Sequence, residues 1–364
     1  MQKKLIAVAV AGLLSSAAFA ESNVTISGVA DAYYARLTGD NLKSINAIGT
    51  GGLSGSRIAL NGAEDLGNGL KAIFQMELGF NLVNNGSTLA KAAGSLSDST
   101  GAGNGITTTR QSYVGLAGSF GAVVAGRLQA PGYYVGKFDA LASSAISPQA
   151  ILSAGAMNGT LLPSTIAPSN AARANNAVAY LSPNFSGFSA VVAASSGPVV
   201  DEYAIANGST TADENATVLG LNYAIGPVTV GFVHHNIQNV LGVDAYDTKE
   251  NMIGATYNAG FLTVAGSYQT AKVKDTDTNK LYQIGVVVPV GAGNIHVAYG
   301  KLNMKDDTLD AKSTTIAYTH GLSKRTTAYA GYNKTDNESA SALGLYATAG
   351  SSNKGMVVGL RHTF

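Results

Sequence analysis

The sequence predicts an all-β chain, a 16-stranded antiparallel transmembrane β-barrel with long external loops. Three observations lead there. Segments of about ten residues alternate apolar and polar side chains, which is the period of a strand. Short turns of Gly, Asn, Pro and Ser alternate with long polar connections along all 364 residues. Charged residues make up 12% of the chain, about half the share expected of a soluble surface. Yet after residue 20 no apolar run approaches the ~18 residues that a membrane-crossing helix needs.

Residues 1–20 are expected to be a cleaved signal peptide. MQKK is the positive start, LIAVAVAGLLSSA the apolar stretch, and Ala18-Phe19-Ala20 fits a small-x-small cleavage site. The barrel then occupies 21–364. Without Lys3 and Lys4, 23 − 2 = 21 basic residues face 22 acidic ones. With no dense basic stripe, nucleic acid is not an expected partner. There is no cysteine, so burial and hydrogen bonds must hold the chain without disulfides.

Short turns fall at 64–69, 118–121, 182–187, 225–227, 258–260, 290–294 and 320–325. Longer connections fall at 37–54, 80–105, 131–172, 196–214, 239–248, 273–280, 303–311 and 336–353. Seven turns and eight connections require 16 strands, with both ends on the short-turn side. In the first strand Val24, Ile26, Ala30 and Tyr34 oppose Thr25, Ser27, Asp31 and Tyr33. In 57–61, Ile58 and Leu60 oppose Arg57, Ala59 and Asn61. In 71–78, Ala72, Phe74, Met76 and Leu78 oppose Lys71, Gln75 and Glu77. Further on, Val228, Val230 and Phe232 oppose Thr229, Gly231 and His235, and Ile295, Val297 and Tyr299 oppose Asn294 and His296. In the last segment Met356, Val358, Leu360 and Phe364 share one face. Phe364 is therefore the expected closure point, where the last strand pairs with the first.

A soluble sandwich or β-helix would turn the apolar faces inward. A membrane barrel turns them toward lipid and encloses a polar lumen. The strict short–long alternation and the even strand count favour the barrel, which also removes sheet edges. Aromatics near strand ends, among them Tyr113, Phe120, Tyr180, Phe185, Tyr257, Phe261, Tyr282, Tyr299 and Tyr329, are expected to form girdles at the two interfaces. Glycines inside strands suit a closed, curved sheet.

In a barrel, Arg57 and Glu77 both face the lumen. A turn centred near 66.5 makes cross-strand partners sum to about 133, which places these two within one position of opposite each other. A cross-strand ion pair of ~0.2–1 kcal/mol is the bland reading. Fixed charges lining a narrow pore would also set ion preference. Lys71 shares the inward parity but lies beside the short turn, toward the vestibule. In TTTRQSYVGLAG neither parity is cleanly apolar, so the pattern does not orient Arg110. Arg127, at the foot of the longest connection, is expected to hold that loop to the wall.

No metal or cofactor site is expected. The five histidines share no ligand-like spacing, Asp275-Thr276-Asp277 lacks the glycine and closing glutamate of a calcium loop, and the GAGNG at 101–105 leads into no helix. An outer-membrane lipid hydrolase would need Ser, His and a carboxyl aligned on the outer face. His234 and His362 are outward but lack evident partners, so no enzyme is expected.

GSRIALNGAEDLGNGLKAIFQME, RQSYVGLAGSFGAVVAGRL, RANNAVAYLSPNFSGFS, HGLSKRTTAYAGY and the terminal GLRHTF resemble the Gram-negative general porins of the β-proteobacterial type. The resemblance spans essentially all of 21–364. It implies a homotrimer in the outer membrane, in contact with lipid and lipopolysaccharide, passing inorganic ions and small hydrophilic solutes. It also implies that 131–172 folds into the lumen as the constriction loop. In porins of this type that prefer anions, arginines oppose acidic groups there. The matching positions are Arg57, Arg110 and Arg173 against Glu77 and Asp139, with Lys137 as a further cation. Three arginines against two acids imply weak to moderate anion preference. The alternative is a substrate-specific channel, with Tyr33, Tyr133 and Tyr134 as a guiding row.

Overall fold

The structure, a computed structural model, describes residues 23–83, 106–153, 173–196, 215–238 and 247–364. The expected signal peptide, residues 154–172 and most of the connections at 80–105, 196–214 and 239–248 lie outside the described residues.

Seventeen strand segments form one sheet. They are β1 (Asn23–Gly39), β2 (Ile45–Thr50), β3 (Arg57–Gly67), β4 (Leu70–Phe80), β5 (Ile106–Gly118), β6 (Gly121–Gln129), β7 (Arg173–Leu181), β8 (Phe188–Ser196) and β9 (Asn215–Ile225). Then follow β10 (Val228–Gln238), β11 (Thr248–Asn258), β12 (Thr263–Val273), β13 (Asn279–Val290), β14 (Gly293–Asn303), β15 (Ala311–Gly321), β16 (Thr326–Asn337) and β17 (Asn353–Thr363). Segments β2 and β3 are one barrel strand interrupted by an excursion at 51–56. β2 pairs with Ala32–Leu37 of β1, and β3 with Asn23–Val29. The result is a closed 16-strand antiparallel barrel.

The first long connection is thus shorter than its composition suggests. Of 37–54, residues 45–50 are in the sheet. Alternation marks them weakly because INAIGT carries only two large apolar side chains. Closure occurs where the pattern put it: Val29 pairs with Thr363, the Phe364 nitrogen donates to the Gly28 carbonyl at 3.1 Å, and the Gly28 nitrogen donates to Phe364 at 2.9 Å.

The apolar parity faces out. Ile26, Val114, Val178, Ile253, Ile316 and Val358 are all more than half exposed, which is tolerable only against lipid. Tyr223, Tyr257, Tyr318, Phe185 and Phe261 lie outward by the short turns, and Tyr268, Tyr282, Tyr299 and Tyr332 form a second outward row. Two expected girdle residues face inward instead. Tyr113 donates to Gln75 at 3.0 Å, and Tyr329 is buried against Asp31. Both stand on the inward parity of their strands, so nearness to a turn was the weaker indicator.

The longest connection begins inside the barrel. A 3₁₀ segment, Pro131–Phe138, leads to a short helix α1 (Pro148–Ser153). Phe138 lies over inward Gly231 of β10 and Gly254 of β11, and Ile146 over Gly331 of β16; a β-carbon at any of these would collide with the loop side chain. These strand glycines therefore make room for the loop as well as suiting curvature. Val135, Phe138, Val233 and Met252 form a dry cluster, so the inner face is apolar where the loop covers it. Polar ties flank the cluster. The His296 Nδ1 meets the Ala140 carbonyl at 2.7 Å, the Thr315 hydroxyl donates to Ile146 O at 2.5 Å, and the Gln269 amide donates to Gln149 at 2.7 Å.

Candidate functional site

The site forms where β3, β4, β5 and the start of β7 face the loop. Register here differs from a symmetric hairpin. Arg57 pairs with Gly79 and Ala59 with Glu77, because the turn is made by Asn68 and Gly69, between paired Gly67 and Leu70; the bulge between Asp65 and Gly67 shifts the register by only one residue. The partner sum is 136, not 133, so Arg57 and Glu77 are diagonal rather than opposite. They remain on one face, and Arg57 Nε lies 3.3 Å from Glu77 Oε2. A second bulge breaks the β4–β5 ladder between Glu77 and Leu78, opposite Gln111 and Thr109, with Arg110 as the extra residue of the bulge. That explains the unreadable parity of TTTRQSY: an extra residue shifts the phase midway. The bulge turns Arg110 inward, where its Nε donates to Glu77 Oε1 at 2.6 Å.

One carboxylate thus holds two guanidinium groups, one on each oxygen. The Arg110 side chain is only 3% exposed, while that of Arg57 is 24% exposed. Arg110 is the buried member, and Arg57 presents its charge to the lumen. Tyr133 comes in from the loop and accepts from Arg110 Nη2 at 3.3 Å. Arg173, where the chain returns to the wall, lies with its guanidinium carbon 5.7 Å from the Tyr133 ring centroid, within cation–π range. Burial would raise the Tyr133 phenol, but the charges of Arg110, Arg57 and Arg173 hold it below its ordinary 10.0.

Four of the five expected constriction charges are therefore brought together. Asp139 stands apart. Its carboxylate accepts from Leu141 N at 2.9 Å, Ser143 N at 2.8 Å and the Ser147 hydroxyl, so it organises the loop's own turn. Lys137 lies 4.2 Å from the Tyr134 ring centroid, in a crevice shared with β8 and β9 residues such as Ser189 and Asn222. Among the described residues Arg127 ties wall to wall: Nε donates to Thr109 O at 2.7 Å and Nη1 to Asn175. Lys71 sits opposite Asp65 beside the short turn. Tyr33, Tyr133 and Tyr134 do not form a row, because Tyr33 is buried in a separate cluster with Ala35 and Leu37.

Two inward residues enter that the sequence reading passed over. Asp31 is fully buried and accepts from Gly52, Leu53 and Ser54 nitrogens at 3.1, 2.8 and 2.9 Å and from the Tyr329 hydroxyl at 2.6 Å. It fixes the excursion at 51–56, whose Gly52 carbonyl in turn accepts from Ala145 of the loop at 2.9 Å. Arg361 pairs across from Asp31 and donates to Ser54 Oγ at 2.8 Å. Parity carried both signals: Asp31 opposes Val24 and Ile26, and Arg361 opposes Leu360.

Removing the Glu77 charge takes from the buried Arg110 the carboxylate that its Nε is bonded to. Glu77→Gln is expected to destabilise the barrel by about 3–5 kcal/mol, the cost of breaking a buried pair by deleting one partner. Denaturant unfolding of the purified protein measures this. A loss under about 1 kcal/mol would mean that the pair is effectively solvated.

A closed lipid-facing barrel with a charged inner wall and a loop inside it defines an outer-membrane channel. The chain belongs to the Gram-negative porin family, whose model matches residues 7–340. It is 34% identical to outer membrane porin protein 32 of Delftia acidovorans over the full length of both chains. It is 28% identical to the major outer membrane protein P.IB of Neisseria meningitidis, covering 85% of this chain and 83% of the relative. Among solved structures it superposes on the anion-selective porin from Comamonas acidovorans with a TM-score of 0.75 and 28% identity, covering 94% of this chain and 100% of that one. The fold alone is shared with Salmonella typhi OmpF, at a TM-score of 0.67 and 14% identity.

Proposed function

We propose that this porin is a general diffusion channel for ions and small hydrophilic solutes with a preference for anions, constricted by its third loop and assembled as a homotrimer. The observation that carries the preference is the sharing of one carboxylate, Glu77, by Arg57 and Arg110, with Arg173 beside them. With Asp139 engaged inside its own loop, Arg57, Arg110 and Arg173 gather around one acid, Glu77, among the described residues, and positive charge predominates there. The similarity to an anion-selective porin points the same way. A trimer is in keeping with the fold's likeness to a porin described in trimer form.

Reversal potential across a planar bilayer in a salt gradient tests the preference, with single-channel conductance as the companion measure. A cation-selective potential would overturn it. A saturable block of current by one solute would favour the substrate-specific reading.

Asp139 gives the constriction a pH signature. Burial pushes its carboxyl above the ordinary 3.8, outweighing the hydrogen bonds from Ser147, Leu141 and Ser143. A raised carboxyl binds its proton more tightly in the docked loop than in an undocked one. Docking therefore strengthens as pH falls through the raised value and levels off below 3.8. Conductance is expected not to rise on acidification through that window. A rise that Asp139→Asn abolishes would contradict this sign.

A further inference from the structure

Residues 51–56, GGLSGS, leave the sheet and wind around one buried carboxylate. Gly51 N donates to the Asp31 carbonyl at 2.8 Å, and the nitrogens of Gly52, Leu53 and Ser54 donate to the Asp31 carboxylate. Four consecutive N–H groups thus converge on residue 31, the kind of concavity in which a backbone holds an anion. The Ser56 hydroxyl closes the turn, accepting from Asp31 N at 3.0 Å and donating to Asp31 O at 3.2 Å. Tyr329 supplies the fourth donor to the carboxylate, at 2.6 Å. Asp31 itself is 0% exposed, so it lines no part of the lumen.

The same turn holds three parts of the constriction. Its Gly52 carbonyl accepts from Ala145 N of the loop at 2.9 Å. Its Gly55 carbonyl accepts from Arg57 Nη1 at 2.8 Å, and its Ser54 hydroxyl accepts from Arg361 Nε at 2.8 Å. Leu53 packs against the cluster that contains Leu141, Ile146 and Ile151. Arg57 and Arg361 lie close enough for their charges to act on each other, so without these acceptors repulsion would drive them apart. A carboxylate with no access to the lumen is therefore joined, through six residues, to the loop and to two guanidinium groups.

We propose that Asp31 is a positioning residue for the constriction. It fixes 51–56, and through that turn it sets the direction of Arg57 and Arg361 and the seat of the loop at Ala145. The inference rests on the reading of Arg57 and the loop as the parts that select ions. Charge by itself gives the opposite expectation. Deleting an acid beside a lumen raises its anion preference, whereas releasing the turn widens the pore and unfixes its cations. A wider pore screens its charges more fully, and preference depends on charges held at a narrow place.

Two variants of the intact barrel test it, Asp31→Asn and the charge-neutral Gly52→Val. An asparagine has one acceptor oxygen, so its amide nitrogen would face either the Leu53 and Ser54 nitrogens or Gly52 N and the Tyr329 hydroxyl. A β-carbon at Gly52 would collide with Tyr329 and Tyr33, both buried, and push the turn away from them. In both variants amide hydrogen exchange over 140–147 is expected to speed up at least about tenfold, because Ala145 loses its acceptor. The anion-over-cation permeability ratio, from reversal potentials, is expected to fall at least about twofold. Wild-type exchange and ratio in both, with only a lower melting temperature, would overturn the proposal, because Asp31 would then support the fold alone. A raised anion ratio in Asp31→Asn would also overturn it, since that is the signature of the charge acting by itself. Faster exchange at an unchanged ratio would confine Asp31 to the loop and overturn its role toward the arginines. If Asp31→Asn does not assemble, Gly52→Val decides, and wild-type values there overturn the proposal. Exchange over 140–147 reads the seat of the loop even where wild type shows no anion preference, so failure of that reading and failure of this inference are separately visible.

Discussion

The double substitution Arg57→Gln with Arg173→Gln removes most of the anion preference while leaving the barrel folded. Arg57 is more exposed than Arg110, and Arg173 stacks on a loop tyrosine. Removing both leaves that buried pair neutral as a unit. One charge acting over ~8 Å in water contributes about 0.5 kcal/mol to a passing ion, reduced by screening at a Debye length of about 8 Å. Because an anion loses what a cation gains, the anion-over-cation permeability ratio is expected to fall roughly three- to tenfold. Unchanged reversal potential would place the selectivity filter elsewhere, with Arg361 and Lys137 the next positions to test. Unfolding of the double variant should follow wild type within about 1–2 kcal/mol, the lost contribution of one partly exposed ion pair and one cation–π contact.

Gly254→Val is expected to enlarge the pore. The new side chain would occupy the space of the Phe138 ring. Overpacking costs about 1–3 kcal/mol, comparable to the ~1.5–3 kcal/mol that the ring gains by burial. Relief by undocking Phe138 shifts the docked-to-undocked ratio by up to about 100-fold, since ~2.7 kcal/mol corresponds to that factor. The strand is retained, because its outward neighbours Ile253 and Ala255 are untouched. Single-channel recording should show larger or fluctuating conductance. Phe138→Ala combined with Gly254→Val should move the currents back toward steady, because the ring collision is gone and only the close approach of the residue 138 β-carbon, at 2.8 Å, remains to be relieved. A steady wild-type conductance in Gly254→Val alone would show that the loop is held by its other anchors, Ile146 over Gly331 and Leu152 over Gly300 of β14.

Strand existence, strand count and facing were legible because each rests on a local rule. A two-residue period identifies a strand, and a lipid exterior inverts the usual assignment of its faces. That is why Ile58 and Phe74 could be placed outside and Glu77 inside without knowledge of any contact. The pairing of Arg57 with Glu77 was legible to within a diagonal. The error came from the turn, which Asn68 and Gly69 make and which the run EDLGNG does not locate to the residue. The bulge at Arg110 hid more, since it reverses the phase inside a strand that is already poor in large apolar side chains.

The sequence by itself determined the barrel, its outward apolar surface and the residue types at the pore, because alternation and turn chemistry act over a few neighbours. Only the tertiary structure decided that Arg110 is the buried partner of Glu77 while Arg57 meets the lumen. It also decided that Asp139 spends its carboxylate on its own loop and that Asp31 braces the excursion at 51–56. These outcomes depend on bulges, on a loop returning across the lumen, and on backbone donors more than twenty residues away. Contacts of that range are set by closure of the whole sheet, and no local period encodes them.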